Sequence, residues 1–161
     1  MRYPVLVVLA CLNIGFIKAQ MDTVTVRILQ GSGCDARITL EQVRGLPQHS
    51  AAVTSKDGET HHYRGALLQR VMEAVCPSIA EMDKHARTRS AVKVTAGDDF
   101  AAVLGAMELD STFKTRPVLL AWERDGMPLD AHFGPFQLIV PEDLRHSRNV
   151  RNVSRVELIT P

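Results

Sequence analysis

Polar and apolar positions alternate along much of this chain, and the alternation marks short strands. Thr23-Val24-Thr25-Val26-Arg27-Ile28-Leu29 switches character at nearly every residue, as a half-buried strand does. Gly31-Ser32-Gly33 then predicts a loop. Thr39 is a good N-cap for a short helix through Val43, stopped by Gly45-Leu46-Pro47. Ser50–Thr54 and Thr60–Tyr63 predict a strand pair around the tight turn Lys56-Asp57-Gly58-Glu59. From Gly65 the period changes. Leu67, Leu68, Val71, Met72 and Val75 line one helical face, Gln69, Arg70 and Glu73 the other, and Pro77 ends the helix.

The second half continues the pattern. Ser78 to Arg89 is polar and mixed in charge, a loop with a helical turn. Ala91–Thr95 predicts a strand and Gly97-Asp98-Asp99 a turn. Phe100 to Leu109 is an apolar run that fits a strand or a helix equally. Pro117–Glu123 predicts a strand, Asp125-Gly126 a hairpin, Phe136–Val140 another strand, and Arg155–Ile159 the last one, after a short helical turn ending at Val150. Strands dominate and one helix is firm, so the expected class is α+β with a mixed β-sheet and few short helices.

The first residues follow a different rule. Arg2 precedes an apolar run from Val5 to Ile17, interrupted only by Asn13. The run is shorter than the ~20 residues that span a bilayer and has the length of a signal-peptide core. Ala19 offers a small residue for cleavage. The expectation is a signal peptide over 1–19, then a single domain over 20–161 that works in the periplasm or as a secreted protein, with no stable membrane insertion after cleavage. The net charge of +1 supplies no field for nucleic acid. Of three cysteines, Cys11 lies in the signal segment. Cys34 and Cys76 leave two readings open: one disulfide in an oxidising compartment, or a free Cys34 in a loop and a buried Cys76.

Four segments, in their order and spacing, resemble the molybdopterin-binding domain of the sulfite oxidase family, in particular its short exported stand-alone members. They are Leu40-Glu41-Gln42-Val43-Arg44-Gly45-Leu46-Pro47; Tyr63-Arg64-Gly65-Ala66-Leu67-Leu68; Ala96-Gly97-Asp98-Asp99-Phe100; and Leu119 to Leu129 followed by Gly134-Pro135-Phe136-Gln137-Leu138-Ile139-Val140-Pro141. The resemblance covers nearly all of residues 20–161. It implies the family's mixed-sheet fold, a molybdopterin cofactor and oxidoreductase chemistry.

The departures bear on that chemistry. Family enzymes hold molybdenum through one cysteine thiolate, which follows the strand after the first short helix. The matching stretch here, Val53-Thr54-Ser55-Lys56-Asp57-Gly58, has no cysteine. A serine hydroxyl is a poor substitute for a soft thiolate. The family's Asp-Gly-Tyr is Asp98-Asp99-Phe100, and its basic residue after Gly-Pro is Gln137. By resemblance the positions to inspect for cofactor binding are Ser55, Arg64, His132 and Arg148, with no metal ligand assigned.

Other constellations carry blander expectations. His61 and His62 point to opposite faces of a strand and are expected to be solvated. Asp98 and Asp99 are expected to cap their own turn. Arg145, His146, Arg148 and Arg151 form a basic stretch, expected to be a solvated face. Trp122 is expected in the core. Two functions follow: an exported oxidoreductase-like protein that lacks the cysteine ligand for molybdenum, or a non-catalytic periplasmic module binding a small anion or a protein partner on the same fold. Molybdopterin is the only cofactor in view.

Overall fold

The computed structural model describes residues 22–29 and 33–161. The signal-peptide expectation over 1–19, Cys11 and the Gly31-Ser32 part of the loop lie outside them. Ten strands and three short helices follow in the order β1 (Thr23–Leu29), β2 (Asp35–Thr39), α1 (Leu40–Arg44), β3 (Gln48–Thr54), β4 (Thr60–Leu67), α2 (Leu68–Val75), α3 (Lys84–Thr88), β5 (Ala91–Ala96), β6 (Ala101–Gly105), β7 (Leu119–Arg124), β8 (Met127–Pro128), β9 (Gln137–Ile139) and β10 (Val153–Ile159). Single 3₁₀ turns occupy Pro77–Ile79, Ala106–Leu109 and His146–Arg148.

The strands form two sheets. The first has the order β2-β1-β10-β5-β6, and its β1–β10 pair is parallel while its other pairs are antiparallel. The second has the order β3-β4-β7-β8, with β9 also pairing β7, and is antiparallel throughout. The expected mixed sheet and few short helices are what the chain builds, with the strands divided between two sheets.

Strand β7 explains the second sheet's position. Its residues are buried on both faces: Leu120 and Trp122 belong to the main core, Leu119 and Ala121 to a second cluster. The main core joins Val24, Val26, Val92, Val94, Val156 and Leu158 of the first sheet to Leu120, Leu138 and the α2 residues Leu68, Val71 and Met72. The second cluster, Ala51, Val53, Tyr63, Leu67, Leu119, Ala121 and Ile139, lies on the opposite face of the second sheet. A strand buried on both sides has no polar face to show, which is why Val118–Trp122 is a continuous apolar run.

Local chemistry sets the boundaries. Thr39 caps α1 as expected. Its hydroxyl accepts from Gln42 N while the Gln42 side chain accepts from Thr39 N, a reciprocal capping box. Asp125 and Gly126 take φ values of 53° and 79°, which the two-residue β7–β8 turn requires. Phe100 to Leu109 divides into β6 and a 3₁₀ turn. Two expectations are corrected. Residues 65–67 belong to β4 and not to the following helix, because they pair with Ala121, Leu120 and Leu119. Asp35–Thr39 is a strand that local pattern alone did not mark; it forms by pairing along β1.

Gly65 sits where β4 bulges against β7. A Cβ there would run into the Leu120 carbonyl and lie 2.7 Å from Ala121 Cα. Both obstacles are backbone in a central strand and cannot swing aside. Gly65→Ala is therefore expected to destabilise the fold by about 1–3 kcal/mol, read as a lower urea midpoint with an unchanged slope; an unchanged midpoint would refute the close approach.

Cys34, just before β2, is bonded to Cys76 at the end of α2, with Cα atoms 5.9 Å apart. This decides between the two cysteine readings. The bond closes a loop with a sequence separation of 42 residues, for which chain entropy alone gives roughly 4 kcal/mol. Replacing both cysteines with alanine should lower thermal stability substantially while the far-UV spectrum below the transition stays native. An unchanged melting temperature would show that the bond adds nothing.

Candidate functional site

The β3–β4 turn and the segment after β9 face each other across a cleft of about 680 Å³. Thr54, Ser55, Lys56 and Asp57 form one wall; Leu144, Arg145, His146 and Ser147 form the other. Both walls are held by internal bonds. In the turn, Ser55 N donates to Glu59 O at 2.8 Å and Gly58 N to Ser55 O at 3.1 Å. The Ser55 hydroxyl donates to the Asp57 carboxylate and to Glu59 O. That hydroxyl, with the Glu59 amide, holds the Asp57 carboxyl below its ordinary pKa, so Asp57 stays ionised as part of its own turn.

His146 ties the walls together. Its Nε2 lies 2.7 Å from Thr54 O. A carbonyl cannot donate, so Nε2 carries the proton and Nδ1, when the ring is neutral, is a bare acceptor. Nδ1 is buried and has no hydrogen-bond partner. Lys56 and Arg145, on opposite walls, are both exposed. Neither has an ion-pair partner among the described residues. Leu144 beside them is fully exposed.

The four positions singled out in the sequence do not converge. Ser55 lines the cleft. Arg148 lies two residues beyond His146 but belongs to another constellation. Its guanidinium donates to Asp143 at 2.6 and 2.9 Å and to Glu108 at 3.1 and 3.3 Å. The Asp143 carboxylate, followed by Glu108, raises the Arg148 pKa further above its already high value, and the Arg148 bonds lower that of Asp143. Beside this group Lys114 bonds Glu142 at 2.8 Å. Arg148 is thus neutralised by two carboxylates.

Arg64 sits on β4, exposed, with its Nε donating to Gln48 Oε1 at 2.7 Å and its Nη1 forming an ion pair with Glu123 at 3.6 Å. His132 lies in a loop fixed by Asp130, whose carboxylate accepts from His132 N and Phe133 N, and the Gly134–Pro135 bond that follows is cis. Arg151 donates to His132 Nε2 at 2.7 Å, and the guanidiniums of Arg124 and Arg151 lie 4.9 and 4.5 Å from the Phe133 ring centre.

Several bland expectations change or hold. The stretch Arg145–Arg151 is not one solvated face, since His146, Arg148 and Arg151 are each engaged. His61 is half-buried, with Nδ1 2.8 Å from Asp125, so it is not simply solvated. Asp98 accepts from Phe100 N, as a turn aspartate does. Trp122 is 4% exposed and in the core. The sequence marks Lys56 as a turn residue and Arg145 as part of a charge run. Their pairing across a cleft depends on a contact between residues 54 and 146, which no local signal records.

Comparison with known proteins agrees with this architecture. A model of the oxidoreductase molybdopterin binding domain matches residues 12–160. No curated protein matches the chain. Among solved structures, the sulfane dehydrogenase SoxCD from Paracoccus pantotrophus superposes with a TM-score of 0.64 at 14% identity. The match covers 88% of this chain and 39% of that one, so this chain spans about two fifths of its neighbour's length. At that identity the likeness is one of fold. With the family model covering nearly the whole chain, the protein belongs to the oxidoreductase molybdopterin-binding domain family.

Proposed function

We propose that this chain is an exported member of the family that does not hold molybdenum through a protein thiolate and acts as a binding module on the family's fold. The observation that carries this reading is the state of the sulfur and oxygen donors. Molybdenum in this family needs one soft thiolate from the protein. The position matching that ligand is Ser55, whose hydroxyl is committed to Asp57 and Glu59. The two described cysteines are bonded to each other. Among the described residues, no three His, Cys, Asp or Glu side chains gather as a metal would require.

The anchoring groups for a pterin phosphate are also a poor fit. Arg148 is already neutralised by Asp143 and Glu108. Gln137, at the position of the family's basic residue, is 4% exposed and offers there a buried amide oxygen without a partner. An uncharged amide supplies none of the charge-assisted bonds by which a basic side chain holds a phosphate. No step through a molybdenum centre is therefore derived for this chain. The other arm of the reading, a small anion as ligand, draws support from the cleft, where Lys56 and Arg145, neither in an ion pair among the described residues, outnumber the Asp57 carboxylate.

Protein purified from a host that makes the cofactor, grown with added molybdate, should contain far less than one molybdenum per chain by elemental analysis. Stoichiometric molybdenum would overturn the proposal.

Export draws support from the charged start and short apolar run at the N-terminus, and from the disulfide, which belongs to oxidising compartments. Intact mass spectrometry of the protein from the periplasmic fraction is expected to give a chain starting at Gln20. A full-length mass confined to the membrane fraction would refute cleavage.

A further inference from the structure

We propose that the cleft between Thr54–Asp57 and Leu144–Ser147 binds a small organic carboxylate, its anionic head between Lys56 and Arg145 and its apolar body against Leu144. The proposal rests on the preceding reading that no molybdenum cofactor occupies this cleft. Its volume, about 680 Å³, falls within the range of small-molecule sites. A bare inorganic oxyanion would fill little of it.

Two carboxylates stand nearest the cleft in sequence. Asp57 accepts from Ser55 and from Glu59 N within its own turn. Asp143, immediately before Leu144, is held by Arg148 at 2.6 Å. Asp57 keeps its negative charge on the wall it shares with Lys56, but among the described residues neither Lys56 nor Arg145 forms an ion pair, so the cleft walls carry a net positive charge. The two cations are also complementary in form: Lys56 gives a compact charge with rotatable donors, and Arg145 a planar fork that matches a carboxylate.

The apolar argument separates an organic anion from sulfate or phosphate. Leu144 is fully exposed, the most exposed large apolar side chain among the described residues. Its neighbours do not release it to pack elsewhere. Asp143 N donates to Val140 O at 3.2 Å, Asn149 N to His146 O at 3.1 Å, and the Asn149 side chain accepts from Val140 N at 2.9 Å. The segment is thus fixed on both sides of Leu144, and the His146–Thr54 bond fixes its distance from the opposite wall. Two charges and one apolar side chain are presented from rigid backbone, so ligand binding need not order a loop.

Calorimetric titration of the disulfide-bonded protein at low salt tests this. The probes are cinnamate, phenylacetate and octanoate, with cinnamamide as the uncharged counterpart of the first and sulfate as the inorganic anion. At least one carboxylate should bind saturably and one to one, more tightly than sulfate, while cinnamamide gives no heat of binding. Lys56→Met combined with Arg145→Met should weaken that carboxylate about tenfold or more. Leu144→Ser should weaken the carboxylate about threefold and leave sulfate unchanged. All three residues are exposed, and native circular dichroism of each variant is the control for folding.

Failure of every carboxylate to bind overturns the inference. So does binding that the double variant retains, or a carboxylate no tighter than sulfate and indifferent to Leu144→Ser. The elemental analysis is read separately. Stoichiometric molybdenum defeats the underlying reading whatever the titration gives, whereas molybdenum-free protein that binds no carboxylate defeats only the ligand assignment.

Discussion

The double burial of β7 is the constraint on which the rest of the molecule depends. Leu119, Leu120, Ala121 and Trp122 point alternately into two clusters, and none reaches solvent. The strand needs a partner on each edge and cover on each face. β4 and β9 supply the edges. The first sheet and α2 cover one face, through the residues they share with Leu120 and Trp122. On the other face Leu119 and Ala121 pack side by side with Val53, Tyr63 and Ile139 of the neighbouring strands. Each of these elements holds a register that a one-residue slip would turn inside out. Gly65 belongs to the same requirement, because only a residue without Cβ lets β4 lie this close to Leu120 and Ala121.

That arrangement decides where chemistry can sit. Val53 is the last residue of β3 in the second cluster, and Ile139 the last of β9. β3 and β9 run in opposite directions, so Val53 and Ile139 lie toward opposite ends of the second sheet. Residues 54–57 follow β3 directly, whereas residues 144–147 reach them only after the buried Val140 and Pro141. The His146–Thr54 bond then sets its width. Next to it, Arg148 with Asp143 and Glu108 is a balanced network that holds the 3₁₀ turn in place. The two neighbouring groups of charge differ in balance: the network satisfies its arginine internally, and the cleft sets two cations, unpaired among the described residues, against the single Asp57 carboxylate.

Much of the fold was legible because it is written locally. The Thr39 cap, the Asp125-Gly126 turn and the alternation in β1 are short-range signals, and each element formed where its signal lay. The failures share one cause. Gly65 to Leu67 carries helix periodicity that belongs to α2, but pairing with Leu119–Ala121 pulled those residues into β4. Asp35–Thr39 has a polar start and takes strand form from its neighbour. The site was less legible still. Ser55 was found through its place after β3, which is a matter of order. Lys56, Arg145 and His146 become a group only through contacts across roughly ninety residues of chain. Arg148, taken as a ligand-binding candidate, carries carboxylates 5 and 40 residues away that the sequence gives no reason to pair with it.

Residue 55 contributes nothing to either cluster. Its side chain bonds only within the turn it belongs to, and the turn projects past the end of the core. The fold's stability resides in β7's two faces, in Gly65 and in the Cys34–Cys76 bond, all independent of what stands at the tip of β3. A chain can exchange the residue at that tip, and with it the chemistry at the mouth of the cleft, while every packing relation behind it stays in place. The same independence explains how the family's architecture is recognisable here from residue 12 to residue 160 although identity with a solved neighbour is 14%. The positions that keep the fold are the buried, patterned ones, whereas those that choose a ligand are a few exposed side chains on rigid turns, and the two sets hardly overlap.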